Sequence, residues 1–273
     1  MNTASELKAI VKEKYSEIAL QNQSTTSTGC CSCSTTGKDV YHIMHDEYNH
    51  LPGYVADADL KLGCGLPTHF AKIKQGDTVV DLGSGAGNDC FVARHEAGEA
   101  GTIIGIDFTE AMIEKAKHNA QKLGYNNVQF VLGDIENIPL SNNLANVVIS
   151  NCVMNLVPNK QQAFAEVYRI LKPGGHFSIS DIVVTANLPA NIKQAAEMYA
   201  GCVASAIDKN EYLQIIAAAG FTNITVQQQK PIVVPDEILI NYITNAEITN
   251  FKAQGNIIFS ISVYAEKKKN NCC

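Results

Sequence analysis

The chain has 273 residues, of which 46% are apolar and 18% charged, enough for one large α/β domain with additions or for two small domains. Its formal net charge of -6 at pH 7 argues against a nucleic-acid-binding surface, which requires clustered lysine and arginine. No apolar stretch reaches the roughly 18 to 20 residues of a membrane span and the amino-terminal segment lacks a signal-peptide core, so we expect a cytoplasmic protein that binds no membrane.

The chain contains nine cysteines, an odd number in a protein far longer than the small scaffolds that disulfides hold together. In a reducing compartment most of them are expected to be free thiols. Their role is then reactivity, ligation or packing.

The first 65 residues are predicted to form an amino-terminal helix and an arm. Apolar residues recur at helix spacing and predict a helix over residues 5–20. Residues 21–37 are rich in Ser, Thr and Gly, so we interpret them as a mobile arm. This arm carries three cysteines, Cys30, Cys31 and Cys33.

Two further groups of side chains precede the first predicted strand. Three histidines have spacings that match no established metal-ligand set, and we assign surface or packing roles to them: His42, His45 and His50. Four tyrosines are candidates for the entrance of a site: Tyr15, Tyr41, Tyr48 and Tyr54. The glycines on either side of Cys64 indicate a turn that exposes its thiol.

Residues 66–185 alternate strand and helix patterns, which is typical of a parallel sheet with crossover helices. Strands are predicted at 78–82, 102–107, 128–132, 146–151 and 176–184, and helices at 88–97, 109–122 and 160–171. Thr109 is a plausible N-cap of the second of these helices. The sequence therefore predicts an α/β domain with helices on both faces of a mostly parallel, twisted sheet.

Residues 186–273 are predicted to form a smaller α+β region that binds the substrate. Apolar residues at helix spacing between Leu188 and Ala206 predict a helix with Cys202 on its apolar stripe. Asp208 resembles the start of a capping box for a helix that stops at Gly220. Strands are predicted at 223–229 and 257–264. The terminal Cys272 and Cys273 are either a mobile dithiol or a dispensable tail.

The segment VVDLGSGAG, residues 79–87, reads as a buried strand that runs into a glycine turn and then a helix. Glycines allow close approach of the backbone, and a helix N-terminus offers free N–H groups to a ligand. The spacing of Gly83, Gly85 and Gly87 differs from the glycine spacing of the dinucleotide-binding fingerprint. In addition, Asp81 would repel a pyrophosphate but could accept bonds from an ammonium group. The cofactor therefore looks like an amino-acid conjugate of adenosine.

Two more acids follow the next two strands. Asp107 ends the second strand, where ribose hydroxyls are expected, and Asp134 follows the third strand, where it suits an adenine amino group. Each acid alone could be an ordinary surface residue or cap. Three acids at three successive strand ends favour S-adenosyl-L-methionine over a nicotinamide cofactor, because ligands of open α/β sheets bind at the carboxyl ends of the strands.

These motifs, with LGDIENIP, VVISNCVMNLV and ILKPGGHFSISD further on, resemble the class I S-adenosylmethionine methyltransferases over about residues 65–185. The resemblance implies the Rossmann-like fold of that class. It also implies that matching positions bind the cofactor, namely Asp81, Gly83, Ser84, Gly85, Gly87, Asp107, Phe108, Met112, Asp134, Ile135 and Asn151.

Four cysteines lie within the predicted folded part of the chain. Cys152 directly follows the fourth strand of the domain, so we expect it at the cofactor crevice, although free cysteine is also a common core residue. Cys202 taken alone reads as a core residue, and Cys90 as structural or close to the site.

Three segments indicate a more specific family within this class: GCGLP around Cys64, SNCVMNLVP around Cys152 and YAGCVASA around Cys202. In this order they resemble the arsenite S-adenosylmethionine methyltransferases over roughly residues 50–230. The resemblance implies that the three cysteines bind trivalent arsenic, supplied as arsenite or its glutathione conjugates. It further implies that an amino-terminal cysteine, Cys31 or Cys33 (or Cys30), joins the thiol chemistry, with thioredoxin or glutathione as reductant. The sequence after residue 230 contains no comparable motif, and its length differs from that of the longer members of this family.

The chemistry of arsenic agrees with several thiols at one site. Thiols can replace the oxygens of arsenite, and the arsenic lone pair is then the nucleophile, so no general base is required. An oxygen acceptor would usually need one, and Asp181 and His176 are weak candidates. Methylation oxidises arsenic, and a thiol pair can reduce it again by forming a disulfide.

Two alternatives stay open. One is a methyltransferase that acts on an oxygen or carbon acceptor and has structural cysteines. The other is a non-catalytic protein that binds thiophilic metals. The number of methyl groups added and the oligomeric state are not predicted.

Overall fold

A single twisted sheet organises the chain in the computed structural model, which describes residues 3–21, 46–194 and 202–269. Within these residues the sheet has seven strands in the order β3-β2-β1-β4-β5-β7-β6. The strands are β1 (Thr78–Leu82), β2 (Thr102–Asp107), β3 (Val128–Leu132), β4 (Ala145–Asn151), β5 (Leu171–Val184), β6 (Thr222–Pro231) and β7 (Ile258–Glu266).

The pairing is mostly parallel. β1 pairs in parallel with β2 and β4, β2 with β3, and β4 with β5. Only β7, among the strands described, runs antiparallel to its neighbours β5 and β6. The strand order reverses between β1 and β4, so a crevice is expected beyond the carboxyl ends of these two strands. The predicted fold class is confirmed.

Helices cover both faces of the sheet. They are α1 (Ala4–Gln21), α2 (Pro67–Phe70), α3 (Asn88–Ala97), α4 (Glu110–Leu123), α5 (Lys160–Ile170), α6 (Ala190–Gln194), α7 (Lys209–Ala218), α8 (Asp236–Leu239) and α9 (Asn245–Ala253). On one face, Phe91 of α3 and Ile113 of α4 pack with the sheet, and on the other Phe164 of α5 and Tyr212 of α7 do so.

Most predicted boundaries agree with the structure to within one or two residues, and the largest shift among the strands is at the start of β5. This strand begins at Leu171, directly after α5, instead of at residue 176. Leu171 pairs with Ala145 and His176 with Val147, so an irregularity in the register accommodates the extra residues. Gly174 lies there with a φ of 82°, a conformation that glycine adopts without steric cost.

The helix predicted between Leu188 and Ala206 is wrong in extent. Helix α6 is described as far as Gln194, residues 195–201 lie outside the described part, and Cys202 lies in a turn with a φ of 64°. A left-handed residue cannot continue a right-handed helix. Cys202 is buried all the same, because the turn packs into the apolar cluster that also contains Leu188 and Ile192.

The carboxyl-terminal region completes the central sheet. Both of its predicted strands are confirmed, as β6 and β7, and Asp208 caps α7 by accepting bonds from the backbone N–H groups of Asn210 and Glu211. No helix in the described ranges combines the length and the apolar character needed to cross a membrane.

Candidate active site: a cysteine cluster beside a glycine-rich cleft

A cleft of about 1070 Å³ opens at the carboxyl ends of β1, β2 and β4. Nine of the predicted site residues line it: Gly83, Ser84, Gly85, Asp107, Phe108, Asp134, Ile135, Asn151 and Cys152. Side chains of helix α1, among them Val11 and Tyr15, form part of its wall. The amino-terminal helix therefore belongs to the site, as the candidate Tyr15 had suggested, and the contribution of Val11 was not predicted.

The glycine turn after β1 forms the floor of the cleft. Gly83 and Gly85 have φ angles of 70° and 51°. A Cβ atom on Gly83 would lie 2.3 Å from the side chain of Val153, whereas one on Gly85 would meet no atom within 4 Å. Since Gly85 lines the cleft, the space above it belongs to the cleft. The hydroxyl oxygen of Ser84 is buried and has no hydrogen-bond partner among the described residues.

Asp107 closes one side of this turn. Its carboxylate accepts a bond of 3.0 Å from the Gly85 N–H group and one of 2.8 Å from the Thr109 N–H group. Burial raises the pKa of Asp107, and these bonds oppose the rise. Thr109 occupies the N-cap position of α4, as predicted, but its hydroxyl makes no cap bond.

Asp134 is bound by the amino-terminal helix. The Lys8 ammonium group donates to Asp134 Oδ2 at 2.6 Å and also contacts Glu136. The second oxygen of Asp134 accepts from the Glu136 N–H group. Lys8 thus connects α1 to the acid that follows β3.

Asp89, and not the predicted Asp81, lies at the cleft beside the glycine turn. Asp81 is buried, accepts a bond from the Cys90 thiol at 3.2 Å, and is not among the residues that line the cleft. Burial raises its pKa well above the usual range, and the charge of Asp89 adds to this effect. Asp89, in the first turn of α3, lines the cleft instead. The only sequence signal for it is its place directly after the glycine turn.

A hydrogen-bond network surrounds Asp89. The Tyr48 hydroxyl donates to both of its oxygens, at 2.9 and 3.1 Å, and the Asn151 amide donates at 3.3 Å. Burial raises the pKa of Asp89 to about 6, although the hydrogen bonds from Tyr48 and Asn151 favour the charged carboxylate. Of the tyrosines proposed for the entrance, Tyr15 and Tyr48 line the cleft, and Tyr41 lies outside the described residues.

Two predicted cofactor residues lie in the protein core. Met112 is fully buried on α4 and does not line the cleft. Gly87 has a φ of 99°, and a Cβ atom there would run into the rings of Phe130 and Phe91 at 2.8 and 2.9 Å. Gly87 is therefore required by packing at the start of α3.

Cys152 joins the cleft to a second feature, a cluster of thiols. It directly follows β4 with a φ of 61°, a rare conformation for a non-glycine residue that is often found at functional sites. Its N–H group donates to the Ser180 carbonyl at 2.7 Å, which fixes the chain at this turn. Cys152 lines the cleft while its side chain packs away from solvent.

The cluster contains the three cysteines that the sequence singled out. Cys64, Cys152 and Cys202 are all free thiols, with exposed fractions of 1%, 2% and 2%. The Cys152 thiol interacts with the thiols of both others. Burial raises the pKa of Cys64 to about 11 and that of Cys152 well above the ordinary value. These two thiols are therefore protonated near neutral pH.

A buried carboxyl group adjoins the thiols. The Asp181 carboxylate and the sulfur atoms of Cys64 and Cys152 all lie within 4.8 Å of one another. The Tyr212 hydroxyl donates to Asp181 at 3.2 Å. Burial raises the pKa of Asp181 to about 7, while the buried Lys160 lowers it in part. The sequence offered Asp181 only as a weak candidate for a general base. Its burial beside the thiols cannot be predicted from its position in the strand.

The loop that carries Cys64 is held from both sides. Its N–H group donates to Asn151 Oδ1 at 3.0 Å, and its carbonyl accepts from the Ser260 hydroxyl. The exposed turn expected from its glycine neighbours is wrong, because Gly63 and Gly65 pack against other side chains.

The remaining predicted residues lie elsewhere. Cys90 is buried in the core against Asp81, and His176 bonds to the Ala71 carbonyl at 2.6 Å. Several candidates lie outside the described residues: Cys30, Cys31, Cys33, His42, His45, Cys272 and Cys273.

Comparisons with known proteins give a consistent result. A family model for a methyltransferase domain matches residues 73–220. The arsenite methyltransferase of Halobacterium salinarum is 41% identical over 225 residues, which cover 79% of this chain and 57% of that protein. The arsenite methyltransferase of Aquipseudomonas alcaligenes is 30% identical over 244 residues, covering 86% of this chain and 68% of that protein.

A solved structure is similar as well. The crystal structure of an arsenic(III) S-adenosylmethionine methyltransferase from Chlamydomonas reinhardtii superposes with a TM-score of 0.62 at 32% identity, covering 77% of this chain and 68% of that chain. The present chain thus spans between about half and two thirds of the length of the curated relatives it matches.

Proposed function

This chain belongs to the arsenite methyltransferase family, and on that basis we propose that it transfers a methyl group from S-adenosylmethionine to trivalent arsenic held by Cys64, Cys152 and Cys202. The observation that carries the proposal is the meeting of three buried free thiols at the end of β4, where Cys152 also lines the cleft.

The cleft fits an amino-acid conjugate of adenosine. The space above Gly85 would be filled by a Cβ atom, and the buried hydroxyl oxygen of Ser84 is left without a partner by the described chain. Asp89 and Asp107 line the cleft, and their carboxylates suit ammonium and hydroxyl groups better than a pyrophosphate. When bound, S-adenosylmethionine supplies a methyl group on a positively charged sulfur.

The thiol cluster suits arsenite, which is neutral as As(OH)₃ near neutral pH. Cys64 and Cys152 hold their protons because burial raises the pKa of each. When such a thiol binds arsenic, an As–S bond replaces an As–O bond, and the thiol proton leaves with the hydroxide as water. No net charge enters the buried cluster in this exchange, so binding avoids the cost of burying an ion.

Cys152 positions the bound arsenic for methyl transfer. It belongs to both the cluster and the cleft wall, so Cys152 would hold arsenic where the cluster meets the cleft. S-adenosylmethionine held in the cleft would supply the methyl group, and the lone pair of arsenic bound by the three cysteines would accept it, with S-adenosylhomocysteine as the leaving group. Alignment of donor and acceptor can supply on the order of 7–11 kcal/mol of the barrier.

The transfer oxidises arsenic from the trivalent to the pentavalent state. Two thiols that become a disulfide return two electrons to arsenic, and exchange with an external thiol then restores the enzyme. We propose thioredoxin or glutathione as this thiol and assign Cys31 or Cys33 to the exchange. Arsenite or its glutathione conjugates would be the substrate.

The test is incubation of the protein with arsenite, S-adenosylmethionine and a thiol reductant, followed by arsenic speciation and assay of S-adenosylhomocysteine. Methylated arsenic and S-adenosylhomocysteine should form in matching amounts. Absence of any methylated arsenic would refute the proposal. Formation of S-adenosylhomocysteine from another added acceptor would then support a methyltransferase with structural cysteines.

A further inference from the structure

Asn151, the last residue of β4, lies between the cofactor cleft and the loop that carries Cys64. We propose that the Asn151 side chain is a positioning residue that fixes the Cys64 thiol in the arsenic site and connects it to the cleft. This inference rests on the proposed function and adds a role for Asn151 beyond contact with the cofactor.

Both the oxygen and the nitrogen of the Asn151 side-chain amide form hydrogen bonds to the Cys64 loop. The oxygen accepts from the Cys64 N–H group at 3.0 Å, and the nitrogen donates to the Gly65 carbonyl at 2.8 Å. One side chain therefore bonds to the backbone on both sides of the Cys64 Cα atom. Together with the bond from the Ser260 hydroxyl to the Cys64 carbonyl, this leaves the loop little freedom to rotate.

The glycines on either side of Cys64 fit this arrangement. A Cβ atom on Gly63 would lie 2.5 Å from Asn151 Nδ2, and one on Gly65 would lie 2.5 Å from the Ser180 hydroxyl. Only a residue without a side chain allows the loop to lie this close to Asn151 on one side and to β5 on the other. The glycine spacing of the loop is thus explained by close contact.

The same amide reaches the cleft. Asn151 Nδ2 also donates to the Tyr48 hydroxyl and, at 3.3 Å, to Asp89. An amide nitrogen has two N–H donors, and here it faces three acceptors. A cationic group that binds Asp89 from the cleft would therefore change how these donors are shared with the Gly65 carbonyl. Asn151 provides a direct path between cofactor binding and the Cys64 loop.

The experiment is a double-mutant cycle on arsenite binding, combined with cofactor titration. Asn151→Ala should weaken arsenite binding about tenfold, because the loop loses both bonds, and Ser260→Ala, which removes only the bond to the Cys64 carbonyl, should lose less. In a Cys64→Ser background, Asn151→Ala should have no further effect, since the thiol it positions is gone. The affinity for S-adenosylhomocysteine in these variants should change less than the arsenite affinity.

A readout without arsenic separates this proposal from the previous one. Peptide mass spectrometry gives the rate at which iodoacetamide alkylates Cys64 relative to Cys152, and this ratio should rise several-fold in both Asn151→Ala and Ser260→Ala. An unchanged ratio in both variants would overturn the positioning role. So would an equal loss of arsenite affinity from Asn151→Ala with and without Cys64. If the wild-type protein binds no arsenite, the proposed function fails, and the alkylation ratio still tests the role of Asn151.

Discussion

The Cys202 thiol donates a hydrogen bond of 2.8 Å to the carbonyl oxygen of Cys152. Both residues have left-handed backbones, with φ angles of 64° and 61°. This conformation is costly for residues other than glycine, by about 1–3 kcal/mol each, and it persists where the surroundings impose it. The bond joins the two turns, so each cysteine helps to hold the other in the geometry that brings their side chains together.

We predict that Cys152→Ser and Cys202→Ser abolish arsenite turnover and leave cofactor affinity nearly unchanged. A serine hydroxyl is a hard ligand with little affinity for trivalent arsenic, yet it is close to cysteine in size. Turnover is measured by arsenic speciation and affinity by titration with S-adenosylhomocysteine. Cys90→Ala, which removes a buried thiol outside the cluster, is the matched control and should keep its arsenite affinity. Full activity in either serine variant would assign that cysteine to packing.

Cys64→Ser is predicted to impair arsenite more than a monomethylated trivalent arsenical. Arsenite has three exchangeable oxygens and can use all three thiols, whereas the monomethylated compound has two. The ratio of kcat/KM for the two substrates, measured with the wild-type protein and with Cys64→Ser, gives the result directly. Equal losses would show that Cys64 is not the third ligand.

Gly85→Ala is predicted to weaken cofactor binding, with Gly124→Ala as its control. Both glycines have a positive φ, 51° and 69°, and open space where a Cβ atom would project. The backbone strain of an alanine should therefore lower the free energy of unfolding similarly, by about 1 kcal/mol, in both variants. Only Gly85 lines the cleft, so only its variant should lose affinity for S-adenosylhomocysteine, by at least about tenfold. Equal cofactor affinities would place the ligand away from the glycine turn.

Asp181→Asn is predicted to change the pH dependence of stability. Burial raises the pKa of Asp181 from 3.8 to about 7, so between these values the folded protein binds more protons at this site than the unfolded chain does. Its contribution to the free energy of unfolding therefore falls as the pH rises through this range. The variant lacks that loss, and its stability relative to wild type should rise from pH 4 to pH 7, by at most about 1.4 kcal/mol per pH unit. Urea unfolding at several pH values measures the difference. A difference that is constant or decreasing with pH would contradict the prediction.

The parts of the fold that depend on local pattern could be predicted from the sequence. Buried strands such as β1 and amphipathic helices such as α4 repeat their apolar residues at a period that a single chain reveals. The position of Cys152 at the cleft could also be predicted. Cys152 directly follows β4, and ligands of an open α/β sheet bind at the carboxyl ends of its strands.

What could not be predicted depends on contacts between distant residues. Cys202 was assigned to a helix because apolar spacing does not reveal a left-handed turn. The bonds among Tyr48, Asp89 and Asn151 connect residues up to 103 positions apart, and no local pattern encodes them. Asp81 and Asp89 lie on either side of the same glycine turn, and only the path of the backbone decides which carboxylate reaches the cleft.

The burial of protonated thiols has a consequence for selectivity. Arsenate and phosphate are anions at neutral pH, whereas Cys64 and Cys152 are neutral thiols, and the charge of the buried Lys160 already acts on the neighbouring Asp181 carboxylate. A neutral trivalent species can enter such a site without the penalty that an oxyanion would incur. The protein would then distinguish two oxidation states of one element by their charge, before any methyl group is transferred.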